Sequence, residues 1–141
     1  MTRLFLRHKD AEAYQRIGNP DENLSYESPV TCDKQPLVLF NSIQWDKGRT
    51  GGDWAGVYSF NLNTKELAFC ISRETLKCSE AHTRLWIVEL IFLSDDGQKL
   101  YMNVGVEKAV SGGTVAHYYL ASANLADKKL DLLSPLKDIR F

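Results

Sequence analysis

Apolar and polar residues alternate in short runs along most of the chain, a spacing that is typical of β-strands with one buried face. Turn-forming residues separate these runs, for example at residues 63–66 and 94–97. The pattern predicts eight strands in two successive groups of four. The first group is residues 24–30, 37–43, 57–62 and 67–72, and the second is residues 86–93, 100–106, 118–125 and 130–133.

Two other segments have a helical pattern. Residues 10–18 begin with Asp10 as a candidate N-cap, place Tyr14 and Ile17 on one face and end at Gly18. Residues 72–81 have a weaker apolar stripe, so an irregular loop is an equal alternative there. Residues 2–7 predict an additional strand at the N-terminus. The sequence therefore predicts a mainly β fold with one or two short helices.

The chain also resembles itself at an offset of 63 residues. When residues 31–70 are laid on residues 94–133 without a gap, eight of the 40 positions are identical. The identities form two patterns, Asp-x-Gln-x-Leu before a strand and Ser-x-Asn-Leu-x-x-Lys-x-Leu around a turn. Each copy also has a long connection between its second and third strands, at residues 45–55 and 108–116, with a Gly-Gly pair. This self-similarity predicts an internal duplication.

The duplication predicts how the chain is divided into structural units. A chain of 141 residues is expected to be a single domain. We divide it into repeat units at approximately residues 22–83 and 84–141, preceded by a surplus strand and helix within residues 1–21. Each unit would be a four-stranded antiparallel sheet. The alternative is a single α+β domain whose duplicated sheet has pseudo-twofold symmetry.

The second copy resembles a TolB-type (WD40-like) β-propeller repeat over residues 86–134. The resemblance is carried by Leu-Ser-Asp-Asp-Gly-Gln-Lys-Leu at residues 93–100, His-Tyr-Tyr-Leu at residues 117–120 and Lys-Leu-Asp-Leu-Leu-Ser at residues 129–134. Asp95 stands where the family has proline, and the first copy has no glycine in the corresponding turn. The resemblance implies propeller blades. Two blades do not close a propeller, so it also implies a homo-oligomer, a dimer or a trimer.

Composition removes several classes of function. The 17 Lys and Arg residues balance 18 Asp and Glu residues, which argues against a nucleic-acid partner. The longest apolar run, residues 85–93, is too short to cross a membrane, and the N-terminus has no signal-peptide pattern. Three cysteines without close spacing favour free thiols in a cytoplasmic setting, with no metal site and no cofactor expected.

The connection at residues 45–55 is the richest candidate for a binding site. Its tryptophans, Trp45 and Trp54, offer flat apolar surfaces that suit stacking, and Asp46, Arg49 and Asp53 lie between them. A guanidinium such as that of Arg49 binds carboxylates and phosphates in a bidentate manner. The alternative interpretation is that both tryptophans anchor strand ends over the core.

A second candidate lies on the strand at residues 118–125 and just before it. Alternation places His117 and Tyr119 on one face, and His117 with Glu107 is a possible titratable pair. The alternative is a structural histidine, whose ring is hydrogen-bonded within the strand region and has no functional role. No pattern for nucleophilic catalysis is present, and no catalytic residue is assigned.

These observations favour a non-catalytic binding or assembly module over an enzyme. Such a module would self-associate through sheet edges or through an apolar face, with a small molecule or a protein as a further possible partner. The alternative is a small-molecule-binding or enzymatic domain whose site lies in the loop from Trp45 to Trp54 or at a subunit interface.

Overall fold

The computed structural model describes residues 4–6, 15–17, 23–48 and 50–136. These residues form eleven strands. In chain order they are β1 (Leu4–Leu6), β2 (Gln15–Ile17), β3 (Leu24–Thr31), β4 (Leu37–Trp45), β5 (Gly52–Asn61), β6 (Leu67–Ser72), β7 (Lys77–Cys78), β8 (Arg84–Leu93), β9 (Lys99–Val110), β10 (Gly113–Asn124) and β11 (Lys129–Leu136).

The strands form two main sheets. Sheet 1 has the order β3-β4-β5-β6, and sheet 2 has the order β7-β11-β10-β9-β8. Neighbouring strands are antiparallel except for the short β7, which runs parallel to β11. β1 and β2 form a separate antiparallel pair. The mainly β class is confirmed, as are all eight strands of the two predicted groups.

The predicted helices are wrong wherever the structure describes them. Residues 15–17 of the first predicted helix form β2, which pairs with β1, and residues 10–14 and 18 lie outside the described residues. In the second, Thr75 Oγ1 accepts the backbone N–H of Ser72 at 2.9 Å, which closes a turn. Leu76 is then buried in the core and β7 follows. Core burial of one apolar side chain and pairing with β11 outweigh the weak helical pattern.

The long connections were also predicted wrongly. β9 and β10 continue the hairpin until only Ser111 and Gly112 form the turn, and Gly112 has a φ of 87°. A two-residue turn of this kind needs positive φ, which glycine adopts without strain. In the first copy Trp45 ends β4 and Gly52 begins β5, so the connection shortens to residues 46–51.

The turns that follow β5 and β10 are the same structure at an offset of 63 residues. Lys65 and Lys128 have φ values of 60° and 59°. Their backbone N–H groups donate to the carbonyls of Asn61 and Asn124 at 2.7 and 2.8 Å. The pairing of β4 with β5 differs by one residue from the pairing of β9 with β10. Asn61 pairs with Leu37, whereas the equivalent Asn124 pairs with Lys99. An ungapped alignment therefore does not hold throughout. The duplication and its two units stay predictions.

One core joins the two sheets. It takes alternate side chains from the facing surfaces of both sheets, and all are at most 9% exposed. The largest fully buried members are Leu39, Val57 and Ile71 from sheet 1 and Leu100, Met102, Val104 and Val106 from sheet 2.

The sheets stack front to back. Phe60 and Leu67, which flank the first turn, lie in or against an aromatic cluster on the outer surface of sheet 1. Their equivalents around the second turn, Ala123 and Leu130, lie in the shared core. Equivalent positions thus point away from the shared core in sheet 1 and into it in sheet 2. In sheet 1, the front face is the face that packs against sheet 2. In sheet 2, the front face is the equivalent face, which points away from the shared core.

Candidate functional site

Trp54 lies in the shared core rather than on a binding surface. It belongs to β5 and is 4% exposed. Its indole N–H donates to Asn41 Oδ1 at 2.8 Å, and Asn41 Nδ2 donates in turn to the backbone carbonyl of Ile87 in sheet 2 at 3.1 Å. The indole ring is therefore closed to a stacking ligand, and its polar group is engaged in a link between the sheets.

Trp45 anchors the opposite strand of the same hairpin. Its indole N–H donates to Ser25 Oγ at 2.9 Å, and its side chain is half-buried. Gly52 pairs with Trp45 across the hairpin, and a Cβ at Gly52 would come within 3.0 Å of the Trp45 ring. The ring therefore packs flat against the neighbouring backbone, as expected for a strand-end anchor.

Asp46 closes the turn between β4 and β5. Its carboxylate accepts the backbone N–H groups of Thr50 at 2.8 Å and Gly51 at 3.0 Å, and the Thr50 hydroxyl at 2.7 Å. Such side-chain-to-backbone bonds are typical of Asp in turns. Asp46 thus has a structural role here. Arg49 lies outside the described residues.

Asp53 is the best-placed charged group of the predicted site. Its carboxylate oxygens lie 2.7 Å from Arg73 Nη1 and 2.7 Å from Arg84 Nη2, so it joins β5, the turn after β6 and strand β8. Partial burial raises its pKa, but the hydrogen bond and charge of Arg84, the charge of Arg73 and the backbone N–H of Trp54 outweigh burial. The pKa of Asp53 consequently lies below its ordinary value.

A cleft of about 380 Å³ opens beside this ion-pair cluster. It is lined by Gln44, Asp53 and Arg73 on its polar side and by Phe69 on its apolar side. Two guanidinium groups, Arg73 and Arg84, contact the carboxylate of Asp53, and Glu74 also lines the cleft, so positive and negative charges balance there. A guanidinium such as that of Arg73 can bind a carboxylate or phosphate group.

His117 and Tyr119 share one face of β10, as alternation predicted. His117 pairs with Val106, whose side chain is in the shared core, while Glu107 pairs with Ala116. Glu107 therefore projects from the other face of the sheet, where it accepts a hydrogen bond from Thr83 Oγ1 at 3.3 Å. The titratable pair of His117 with Glu107 is not formed.

Sequence reasoning missed an ion pair on the same face as His117. Lys108 Nζ donates to the carboxylate of Glu80, a residue from the segment between β7 and β8. The hydrogen bond to Glu80 is the largest of the contributions that raise the pKa of Lys108. Sequence separation hid this pair, because only the path of the chain after β7 brings residue 80 to β9.

The front face of sheet 2 carries an aromatic cluster that sequence reasoning also missed. The Trp86 ring covers Gly105, where a Cβ would lie 2.3 Å from the ring, and it meets Tyr118 edge-on at a centroid distance of 6.0 Å. The Arg84 guanidinium lies 4.8 Å from the Trp86 ring centroid. Glycine within an apolar strand often marks such a close approach, so Gly105 was the available signal.

The outer strands of both sheets expose large apolar side chains. Phe69 on β6 is 56% exposed, and Phe92 on β8 is 53% exposed beside Ile91 at 46%. β6 is an edge of sheet 1 and β8 is an edge of sheet 2. Phe92 also borders a cleft of about 310 Å³ that contains the exposed carboxylates of Asp33 and Asp95.

The structure therefore separates the six predicted binding residues that it describes, all but Arg49. Trp45, Asp46, Asp53 and Trp54 belong to the β4–β5 hairpin, and His117 and Tyr119 belong to β10 in the other sheet. Within the described parts of the chain, no cluster of three or more His, Cys, Asp or Glu side chains is arranged to hold a metal ion. Over the same residues, no helix has the length and apolar character to cross a membrane.

Comparisons with family models, with curated proteins and with solved structures each find no match to this chain.

Proposed function

We propose that this chain is a cytoplasmic, non-catalytic binding or assembly module that self-associates, as a dimer or a trimer, through a sheet edge or an apolar face. One observation carries the proposal. The exposed apolar side chains Phe69 and Phe92 both lie on edge strands, whose outer sides pair with no other strand among the described residues. Edges of this kind pair readily with another chain.

The blade-like interpretation of the two sheets belongs to the same proposal. Front-to-back stacking supports it, because neighbouring propeller blades present equivalent faces in the same sense around their axis. The stack of two such sheets ends in a front face that neither main sheet of the described residues covers, and this face carries Trp86, Tyr101 and Tyr118. A further copy of the chain would then continue the stack.

Sedimentation equilibrium over a wide range of protein concentration tests self-association. We expect a mass that rises from that of one 16.0 kDa chain to that of two or three chains. A mass that stays at one chain up to the highest concentration would contradict the proposal. Leu62→Ser serves as a control for the loss of an exposed apolar side chain away from the sheet edges. Leu62 is 41% exposed, but it lies in a turn, so this variant should associate like the wild type.

A second candidate function is the binding of an acidic small molecule beside the β4–β5 hairpin. The observation that favours it is the cleft of about 380 Å³ next to Asp53, which has the Arg73 guanidinium in its wall. A thermal-shift screen with organic acids and nucleotides tests it. Stabilisation that is lost in Arg73→Gln but retained in the turn variant Leu62→Ser would support this site, and no stabilisation by either class would contradict it.

A further inference from the structure

A groove of about 310 Å³ lies between the outer strands β3 and β8, which belong to different sheets and contact one another. One wall is formed by residues 29–31 and 33, and the other by residues 91–93 and 95. Both strands are sheet edges, and the outer side of each pairs with no other strand among the described residues. We call this feature the β3–β8 groove.

Two hydrogen bonds join the walls of the β3–β8 groove at one end. The thiol of Cys32 donates to the backbone carbonyl of Asp95 at 3.0 Å, and Nε2 of Gln35 donates to the backbone carbonyl of Asp96 at 2.8 Å. These bonds link the turn after β3 to the turn after β8. The groove is therefore formed within the chain itself, which reduces the entropic cost of binding a partner.

The groove changes from apolar to acidic along its length. Ile91 and Phe92 are 46% and 53% exposed, and they lie on the strand part of the wall, opposite Pro29 and its neighbours. Asp33 and Asp95 lie on the turn part and are both exposed. The spacing of residues along an extended chain separates the two ends by roughly 10–13 Å. The groove can thus contact two or three adjacent side chains of different character.

The acidic end of the groove has carboxylates without partners. Neither Asp33 nor Asp95 forms an ion pair or a side-chain hydrogen bond with another described residue. Asp96 differs, because its carboxylate accepts hydrogen bonds within the turn after β8. The nearby Lys34 and Lys99 do not line the groove, so the charged residues in its walls are both acidic.

We propose that the β3–β8 groove docks an exposed segment of a partner protein that carries arginines next to large apolar side chains. The guanidinium groups pair with Asp33 and Asp95, and the apolar side chains lie against Ile91 and Phe92. Charge complementarity argues for this occupant, because arginine binds carboxylates in a bidentate manner and also packs on aromatic rings. The inference goes beyond the proposed self-association, since the partner here is a different protein.

A peptide titration tests the contact. The probe is acetyl-Phe-Leu-Arg-Arg-amide, and its match contains citrulline, an uncharged isostere, in place of both arginines. Backbone amide NMR spectra of the isotope-labelled full chain follow each titration. We expect the shifted signals to concentrate in residues 29–33 and 91–95. The citrulline peptide should bind about tenfold more weakly, because two exposed ion pairs are lost.

Variants of the groove test which side chains bind the peptide. Asp33→Asn and Asp95→Asn are each expected to raise its dissociation constant about threefold to fivefold, and Phe92→Ser should raise it by a similar factor. Glu66→Gln is the matched control, because Glu66 is an exposed carboxylate between β5 and β6, and this variant should bind like the wild type. Thermal melts check that each variant is folded before it is titrated.

The outcomes separate this inference from the proposed function. Binding that is weakened by citrulline and by each groove variant, but not by Glu66→Gln, supports docking in the groove. Equal binding of the two peptides, shifts outside the groove or no binding overturns it. Free arginine amide that binds as tightly as the peptide also overturns it and assigns the groove to small cations. Sedimentation equilibrium without peptide measures self-association independently, so either proposal can fail while the other stands.

Discussion

At the scale of single residues, polar side chains inside the core hold the two sheets in one relative position. Asn41 is 1% exposed and uses both ends of its amide, accepting from Trp54 and donating to Ile87. Apolar contacts alone permit the sheets to slide over one another, whereas these two bonds require one alignment. A buried polar link of this kind contributes to specificity because an unpaired partner is unfavourable.

Replacement of Asn41 should therefore lower the stability of the protein more than the size of its side chain alone would suggest. Asn41→Ala leaves the Trp54 N–H without its partner in the core and removes the hydrogen bond to the Ile87 carbonyl, so we expect a loss of about 2–4 kcal/mol in the free energy of unfolding. Urea denaturation followed by tryptophan fluorescence measures it. Asn63→Ala, in an exposed turn, is the control and should change stability by less than about 0.5 kcal/mol.

At the scale of elements, the repeated turn after β5 and β10 is the clearest unit. Each turn is closed by an asparagine, whose Oδ1 also accepts the backbone N–H of residue 63 or 126 at 2.9 or 2.8 Å. Each also holds a lysine in the left-handed region of backbone conformation. A lysine there is strained relative to glycine, because its Cβ approaches the backbone.

Glycine at these lysines should consequently stabilise both hairpins by similar amounts. We expect Lys65→Gly and Lys128→Gly each to raise the free energy of unfolding by about 0.5–1 kcal/mol, since relief of strain exceeds the added entropy of the unfolded chain. Urea denaturation checks this. Lys129→Gly, which lies in strand β11, should lower stability instead. Opposite signs for the two turn variants would contradict the equivalence of the turns.

At the scale of the whole molecule, the Asp53 cluster joins both sheets at the surface. Its carboxylate binds Arg73 beside sheet 1 and Arg84 of sheet 2, and Arg84 continues onto the Trp86 ring. All three charged side chains are about half exposed, so solvent screens the interaction, which contributes at most about 1 kcal/mol.

This contribution has a defined pH dependence. Because the pKa of Asp53 is lower in the folded state than its ordinary value of 3.8, the contribution is fully present above that value. It is lost as the pH falls through the lower, folded-state pKa. We expect the wild type to lose more thermal stability than Asp53→Asn over this acidic range. Melting temperatures from neutral pH down to about pH 2.5 measure the difference, and parallel curves would contradict it.

The sequence by itself determined the eight main strands and the repeated turn. Both depend on local signals: alternation of apolar residues over four to eight positions, and turn residues at fixed spacing. It did not determine the segment after β6, where burial of Leu76 and pairing of β7 with β11 replaced the expected helix. Nor did it determine the shortened hairpin turns, because the strands continue as long as their partners supply hydrogen bonds.

Only the tertiary structure decided where the candidate site residues lie. Alternation places a side chain on one face of a strand, but it does not tell which face another sheet will cover. Trp54 is therefore in the core, while Trp86 lies on the front face of sheet 2. The contacts of Asp53 with Arg84 and of Lys108 with Glu80 join residues from separate strands and turns. Such contacts depend on how the sheets stack, and stacking is settled by the shared core rather than by any local pattern.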